Sequence, residues 1–354
     1  MNHDRYRAIL AGETSPVIRQ LLGACTPAYR SAVALRNQMF DQGLRRPASL
    51  GRPTVSVGNL TTGGTGKTPM VAAVCHHLLE QGKTPAVLLR GYHADSQGQS
   101  DEAQQLRSEL PDAVIVMPNP SRIAGAKAVL KEHPHVDVFV LDDGFQHRQA
   151  ARDVDLVLVD ATQPFGFGRL LPRGLLREPM TSLARADAIV VTRADQISSS
   201  QLHHLDQTIA RYHRRPPIAH AAHRWQGWRV GEEQKNLDAA STLRVAAITG
   251  IGNPKAFEHT LREHVTQIVW HRRLDDHHPY SQAELEQAFA QAQHDGAQAL
   301  VTTEKDWVKW APLLADRPGL IPVWRPWLGL DLFHGRQAWQ ALLDPVIQSS
   351  IPAG

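Results

Sequence analysis

The chain has 354 residues, 42% of them hydrophobic and 21% charged, which suggests about two domains with a sizeable core. No apolar run reaches the ~18 residues that cross a bilayer, and two cysteines, Cys25 and Cys75, are too few for a disulfide framework or a four-cysteine zinc site. A net charge of +3 is too weak to argue for nucleic acid, so the expectation is a cytoplasmic α/β enzyme with no nucleic-acid partner.

Residues 1–52 hold eight arginines against Asp4, Glu13 and Asp41, a net +5 that leaves −2 for the remainder. The first residues lack the apolar stretch of a secretory signal. Apolar residues then recur at helical spacing: Ile18, Leu21 and Leu22, followed by Tyr29, Ala32, Val33, Met39 and Phe40. Thr26 suits an N-cap and Pro27 a first helical position, so the pattern predicts two short helices. They read either as helices packed on the main domain or as a basic amphipathic surface resting on an anionic membrane face.

Residues 53–223 repeat one pattern. Apolar runs at 54–57, 86–89, 113–116, 136–141, 155–159 and 188–191 alternate with helical segments such as 69–81, 121–132 and 200–212. Continuous Val/Leu/Ile runs separated by helices predict a parallel sheet buried on both faces. Residues 224–242 are polar, hold Trp225 and Trp228, and read as a connector. A second, smaller α/β domain is expected over 243–354, with strands at 243–250, 266–270 and 299–303 and a helix at 282–293.

The strongest chemical signal is VSVGNLTTGGTGKTP at 55–69. Here Thr61, Thr62, Gly63, Gly64, Thr65 and Gly66 form a turn between a strand and a helix that opens with Lys67 and Thr68. Such a loop aims its backbone N–H groups, and the positive end of the helix, at one point where phosphate oxygens fit. Lys67 would reach the β and γ phosphates and the Thr68 hydroxyl would ligate Mg²⁺. Thr61 stands where the usual motif has its first glycine. A second signal is VDVFVLDDGFQHR at 136–148, an apolar strand ending in Asp142-Asp143, where a carboxylate shares the Mg²⁺ of a phosphate loop. Asp160, at the end of another strand, reads as structural. The fold expected is therefore a P-loop NTPase-like parallel-sheet domain with a second, smaller α/β domain.

Taken together, GNLTTGGTGKTP at 58–69, RGY at 90–92, DEAQ at 101–104, LDDGFQHR at 141–148, LLPRGLLREP at 170–179, DDHHPYS at 275–281 and TTEKD at 302–306 resemble the tetraacyldisaccharide 4′-kinase family. The resemblance runs in order from about residue 15 to about residue 340. It implies transfer of the γ-phosphate of ATP to the 4′-hydroxyl of a tetraacylated glucosamine disaccharide 1-phosphate, giving lipid IVA. It also implies a peripheral protein on the cytoplasmic face of the inner membrane, with a glycolipid substrate, an anionic membrane surface as partner and no protein partner.

Carried over residue by residue, the resemblance places the catalytic base on Asp101 and its paired histidine on His277, with Asp276 orienting the imidazole and His278 the neighbouring alternative. It sets Glu102 near the metal or the base and leaves phosphate and Mg²⁺ roles with Lys67, Thr68, Asp142 and Asp143. Arg122 and Arg177-Glu178 read either as contacts to substrate phosphate or nucleotide or as surface ion pairs. Ser100 replaces a glycine common before the acidic pair. A rival reading is a P-loop ATPase switch or delivery protein acting through a protein partner; VTRAD at 191–195 lacks the Asn and Lys of a guanine-reading segment, which favours ATP.

Overall fold

The run TVSVGN forms strand β1, Thr54–Asn59, and is buried at every position. A strand covered on both faces is apolar throughout instead of alternating. The same logic yields β2 (Pro85–Leu89), β4 (Val138–Asp142), β5 (Val154–Asp160) and β6 (Ala188–Thr192), while β3 (Ile115–Pro118) is the edge strand and buries only Val116. The computed structural model describes residue 10 and residues 16–91, 101–252, 254–275, 278–314 and 320–349. The chain forms two compact units, one made of Met1–His223 with Leu330–Gly354, the other of Arg224–Gly329.

In the first unit the strand order is β7-β6-β5-β1-β4-β2-β3, where β7 is Ala219–Val230, and every neighbouring pair is parallel. Helices cover both faces. Against one lie α2 (Lys67–Glu80), α3 (Asp101–Glu109) and α9 (Arg336–Gln348), through Met70, Val74, Leu78, Leu106, Trp339 and Leu343. Against the other lie α4 (Arg122–Glu132), through Ala126 and Val129, and α5 (Ser199–His213), through Leu205 and Ile209. Within β5, Leu156 and Leu158 face the first cluster and Val157 and Val159 the second, the two-residue period of a strand between two cores.

The basic segment forms one helix, α1, Pro16–Asp41, where the sequence pattern predicts two. Pro27 sits inside it and removes one amide donor, while Thr26 Oγ1 donates to the Leu22 carbonyl at 3.1 Å. The helix runs on because only Val33 of its 26 residues is buried, so water reaches the carbonyl that proline leaves unmatched.

The second unit has the order β10-β9-β11-β12-β7, with β9 Arg244–Thr249, β10 Gln267–Arg273, β11 Ala299–Val301 and β12 Val323–His334. Strand β8, Glu233–Lys235, pairs antiparallel with β7. Helices α6 (Pro254–His264), α7 (Gln282–His294) and α8 (Glu304–Leu314) complete it. The units thus divide differently from the sequence pattern. The stretch 224–242 is the start of the second unit, because Trp225 and Trp228 pack edge to face, 5.2 Å apart, inside its core. The chain beyond Leu330 belongs to the first unit, because Leu332, Trp339, Leu343 and Val346 join the cluster that holds β1 and α2.

Candidate active site

The phosphate loop follows β1. Gly63 (φ 119°) and Gly66 (φ 85°) take backbone conformations that a side chain rarely adopts, and Gly66 caps α2 from the left-handed region. Lys67 and Thr68 are therefore the first two residues of the helix, at its positive end. Lys67 Nζ lies 3.3 Å from Asn59 Oδ1 and 3.6 Å from Asp143 Oδ1.

Thr61, the departure from the usual glycine, is not in the turn at all. It forms an isolated antiparallel bridge with Leu176, next to which the Thr62 N–H donates to the Leu175 carbonyl at 2.8 Å and the Arg177 N–H to the Leu60 carbonyl at 2.9 Å. A β-branched residue suits that extended position.

Strand β4 pairs with β1 in a register that sets Asp142 beside Val57, bringing the acidic pair alongside the phosphate loop. Asp143 has φ 54°, unusual for a non-glycine residue. Its two oxygens accept from Arg177, Nη1 to Oδ2 at 2.6 Å and Nη2 to Oδ1 at 2.7 Å, a fork that fixes its direction. Burial alone would raise the Asp143 carboxyl, but Arg177, Lys67 and Arg122 outweigh it and hold it well below the usual carboxylate range. Arg122, itself buried, donates to the Asp142 carbonyl at 3.0 Å, and Gln146 donates to the Asn59 carbonyl at 3.0 Å.

Lys67, Arg122, Asp142, Asp143, Gln146 and Arg177 line a cavity of about 430 Å³ together with Arg36, Phe40, Arg45, Arg90, His147 and Arg148. Its charge is strongly positive, which suits a phosphorylated ligand. His147 stays neutral: burial, with Arg122, Arg152 and Arg90 nearby, lowers its pKa to about 4.

Arg177 and Glu178 do not act as one unit. Arg177 faces Asp143 and also donates to the Asn59 carbonyl at 3.0 Å. Glu178 points away, fully buried, and accepts from Arg36 at 2.6 Å, Arg185 at 2.8 Å and Asn37 at 3.0 Å. Tyr29 donates to the Arg177 carbonyl at 3.0 Å, so three side chains of α1, those of Tyr29, Arg36 and Asn37, tie it to this segment. Asp160 accepts from Thr162 and pairs with Arg193, in keeping with a structural reading.

Asp101 and Glu102 open α3, and their side chains lie outside the described residues, as do His277 and Asp276. His278, the alternative to His277, is engaged by Glu284, Nε2 to Oε2 at 3.0 Å, and packs on the Tyr280 ring. Sequence reasoning missed Asn59 and Gln146, which lie inside the matched motifs, and the pairing of Arg177 with Asp143. Nothing in spacing along the chain signals a contact between residues 34 positions apart.

Comparison with known proteins matches this architecture. The family described as Tetraacyldisaccharide-1-P 4′-kinase matches residues 18–348. A tetraacyldisaccharide 4′-kinase of Geobacter metallireducens is 37% identical over 324 residues, covering 86% of this chain and 92% of that protein. One from Anaeromyxobacter dehalogenans is 36% identical over 338 residues, covering 90% and 88%. The crystal structure of LpxK from Aquifex aeolicus, an "apo" form in complex with ATP, superposes with a TM-score of 0.74 at 25% identity, covering 94% of this chain and all of that one. With the family matched over nearly its whole length, this chain belongs to the tetraacyldisaccharide 4′-kinases.

Proposed function

We infer that the protein is an ATP-dependent kinase that transfers the γ-phosphate to the 4′-hydroxyl of a tetraacyldisaccharide 1-phosphate, a lipid A precursor. The observation that carries this reading is the phosphate loop with Lys67 facing the Asp143–Arg177 pair at the ends of adjacent parallel strands. Family membership supplies the acceptor.

In this reading the glycine amides of residues 63–66 and the Lys67 ammonium bind the β and γ phosphates. Mg²⁺ takes one or two carboxylates plus phosphate oxygens and water, and the Thr68 hydroxyl with Asp142, Asp143 and Glu102 supplies hard oxygen donors of that kind. The ion would neutralise charge on the moving phosphoryl group. Arg177 and Lys67 keep Asp143 ionised for the purpose. Asp101, supported by His277, accepts the proton of the sugar hydroxyl, a poor nucleophile without a base.

The glycolipid's acyl chains imply that the protein works at a membrane surface. Among the described residues no helix is long and apolar enough to cross a bilayer. Helix α1 exposes Val17, Leu21 and Leu35 and carries arginines, which supports a peripheral seat on the anionic cytoplasmic face of the inner membrane.

The test is transfer of label from γ-labelled ATP with Mg²⁺ to tetraacyldisaccharide 1-phosphate in micelles. Label on the lipid, lost in Lys67→Ala, is the expected result. Label released only as free phosphate would turn the assignment toward a switch ATPase.

A further inference from the structure

The phosphate loop is held from two sides. Its first half is strapped to residues 175–177 through the Thr61 bridge and the Thr62 amide. Its second half is held by the end of β6, far away in sequence and two strands over in the sheet. There Thr192 Oγ1, fully buried, donates to the Thr65 carbonyl at 2.9 Å. Arg193 Nη2 donates to the Gly64 carbonyl at 2.9 Å, and its Nη1 pairs with Asp160 Oδ2. Asp160 is fixed in turn, its Oδ1 accepting from the Thr162 amide at 2.9 Å and hydroxyl at 2.7 Å.

Arg193 has φ 51°, a left-handed backbone that a long side chain seldom adopts. On the neighbouring strand His223 fills the space beside Gly66: a Cβ added there would sit 2.3 Å from the imidazole. The loop is thus enclosed by Arg193, Thr192 and His223 on one side.

Peptide planarity gives these contacts a consequence. In a trans peptide the C=O and the N–H of the next residue point in opposite directions. Drawing the Gly64 and Thr65 carbonyls toward β6 turns the amides of Thr65 and Gly66 the other way. The Thr65 amide closes onto the Gly63 carbonyl at 3.1 Å, and the Gly66 amide belongs to the residue that caps α2.

We propose that Arg193 and Thr192 are positioning residues for nucleotide binding, pinning two outward carbonyls of the phosphate loop so that the turn closed by the Thr65 amide on Gly63 is held and the Gly66 amide faces phosphate. The proposal rests on the phosphate-loop reading above but not on the lipid acceptor. Arg193 acts through the loop, since one of its terminal nitrogens is committed to Asp160 and the other to Gly64.

The test uses the full chain with Arg193→Ala, Arg193→Lys and Thr192→Val. Affinity for Mg²⁺–ADP is read by calorimetry, KM and kcat by lipid phosphorylation, and unliganded Tm by scanning. Arg193→Ala should weaken ADP binding about tenfold or more, the effect of losing a charge-assisted hydrogen bond. KM for ATP should rise by the same factor, with kcat at saturating ATP and KM for lipid within about twofold of the parent. Arg193→Lys should recover part of the loss, because an ammonium replaces the charge but not the two-sided fork. Thr192→Val should weaken ADP binding several-fold with KM for lipid within about twofold of the parent.

ADP affinity that stays at the parent's value in both Arg193→Ala and Thr192→Val overturns the proposal. So does a uniform loss, in which nucleotide and lipid constants worsen together with Tm, because that is a general structural defect. A parent protein that binds ADP yet labels no lipid would sink the kinase assignment while leaving the binding comparison intact.

Discussion

At the site, positive charge outnumbers negative, and what each acid does depends on its partners. Asp143 lies between Arg177 and Lys67 at the cavity, whereas Glu178, one residue after Arg177, is buried against Arg36, Arg185 and Asn37. Removing one partner of a buried ion pair leaves an uncompensated charge, so Glu178→Ala should lower unfolding free energy by about 3–5 kcal/mol. Burial alone would raise this carboxyl, but Arg185, Arg36 and the Asn37 amide hold it below its ordinary value of 4.5. A depressed carboxyl contributes stability that is present above its unfolded value and lost as pH falls through the folded one. The Tm gap between parent and Glu178→Ala should therefore be widest near neutral pH and shrink below about 4.5; a gap constant from neutral to acid pH would remove the charge from the explanation. Asp101 has a different signature. If it takes the hydroxyl proton, Asp101→Ala should lower kcat by about 10²–10⁴-fold with ATP binding retained. Parental kcat in that variant would take the base role from it.

At the scale of elements, the strands that position the site were legible because burial on both faces writes a continuous apolar run, and β1, β4 and β5 are buried at nearly every position. The glycine-rich turn was legible because Gly63 and Gly66 need positive φ. The supports of that turn were not. Thr61, Arg177, Thr192 and Arg193 meet through strand order, and a parallel sheet brings together residues far apart along the chain. Nor was α1 legible as one helix: Pro27 signals a start to a local reading, but a long exposed helix tolerates the lost bond. That exposure makes α1 testable. Val17 and Leu21 are 64% and 63% exposed and one turn apart, so the double substitution Val17→Ser, Leu21→Ser should leave Tm unchanged. It should weaken sedimentation with anionic phospholipid vesicles, and residual binding should fall further as salt screens the arginines. Vesicle binding equal to the parent's would place the membrane contact elsewhere.

For the whole molecule, the order of the chain and the order of its units differ. Strands β7 and β12 each pass from one unit to the other, so the last residues return to the unit that binds phosphate. Read from sequence, the first domain breaks at 223, where the polar stretch 224–242 begins, and everything from 243 to 354 falls to the second. The break at 223 coincides with that between the units, but the chain from Leu330 on does not stay in the second. The core shows where those last residues belong: Leu332, Trp339, Leu343 and Val346 are all buried in the cluster built on β1 and α2. Burying each such side chain is worth about 1.5–3 kcal/mol, and four of them approach the 5–15 kcal/mol by which a typical domain is stable. Truncation after Gly329 should therefore do more than trim a second domain. It should abolish the Tm increase that ADP gives the full chain, because the phosphate-binding unit itself would no longer fold. The graded version is Trp339→Ala, expected to cost about 3–5 kcal/mol and to leave enough folded protein for ADP to raise its Tm. A truncated protein that keeps a cooperative, ADP-shifted transition would show that β1 and α2 hold their core without α9, and residues 330–354 would revert to the second domain, as read from sequence.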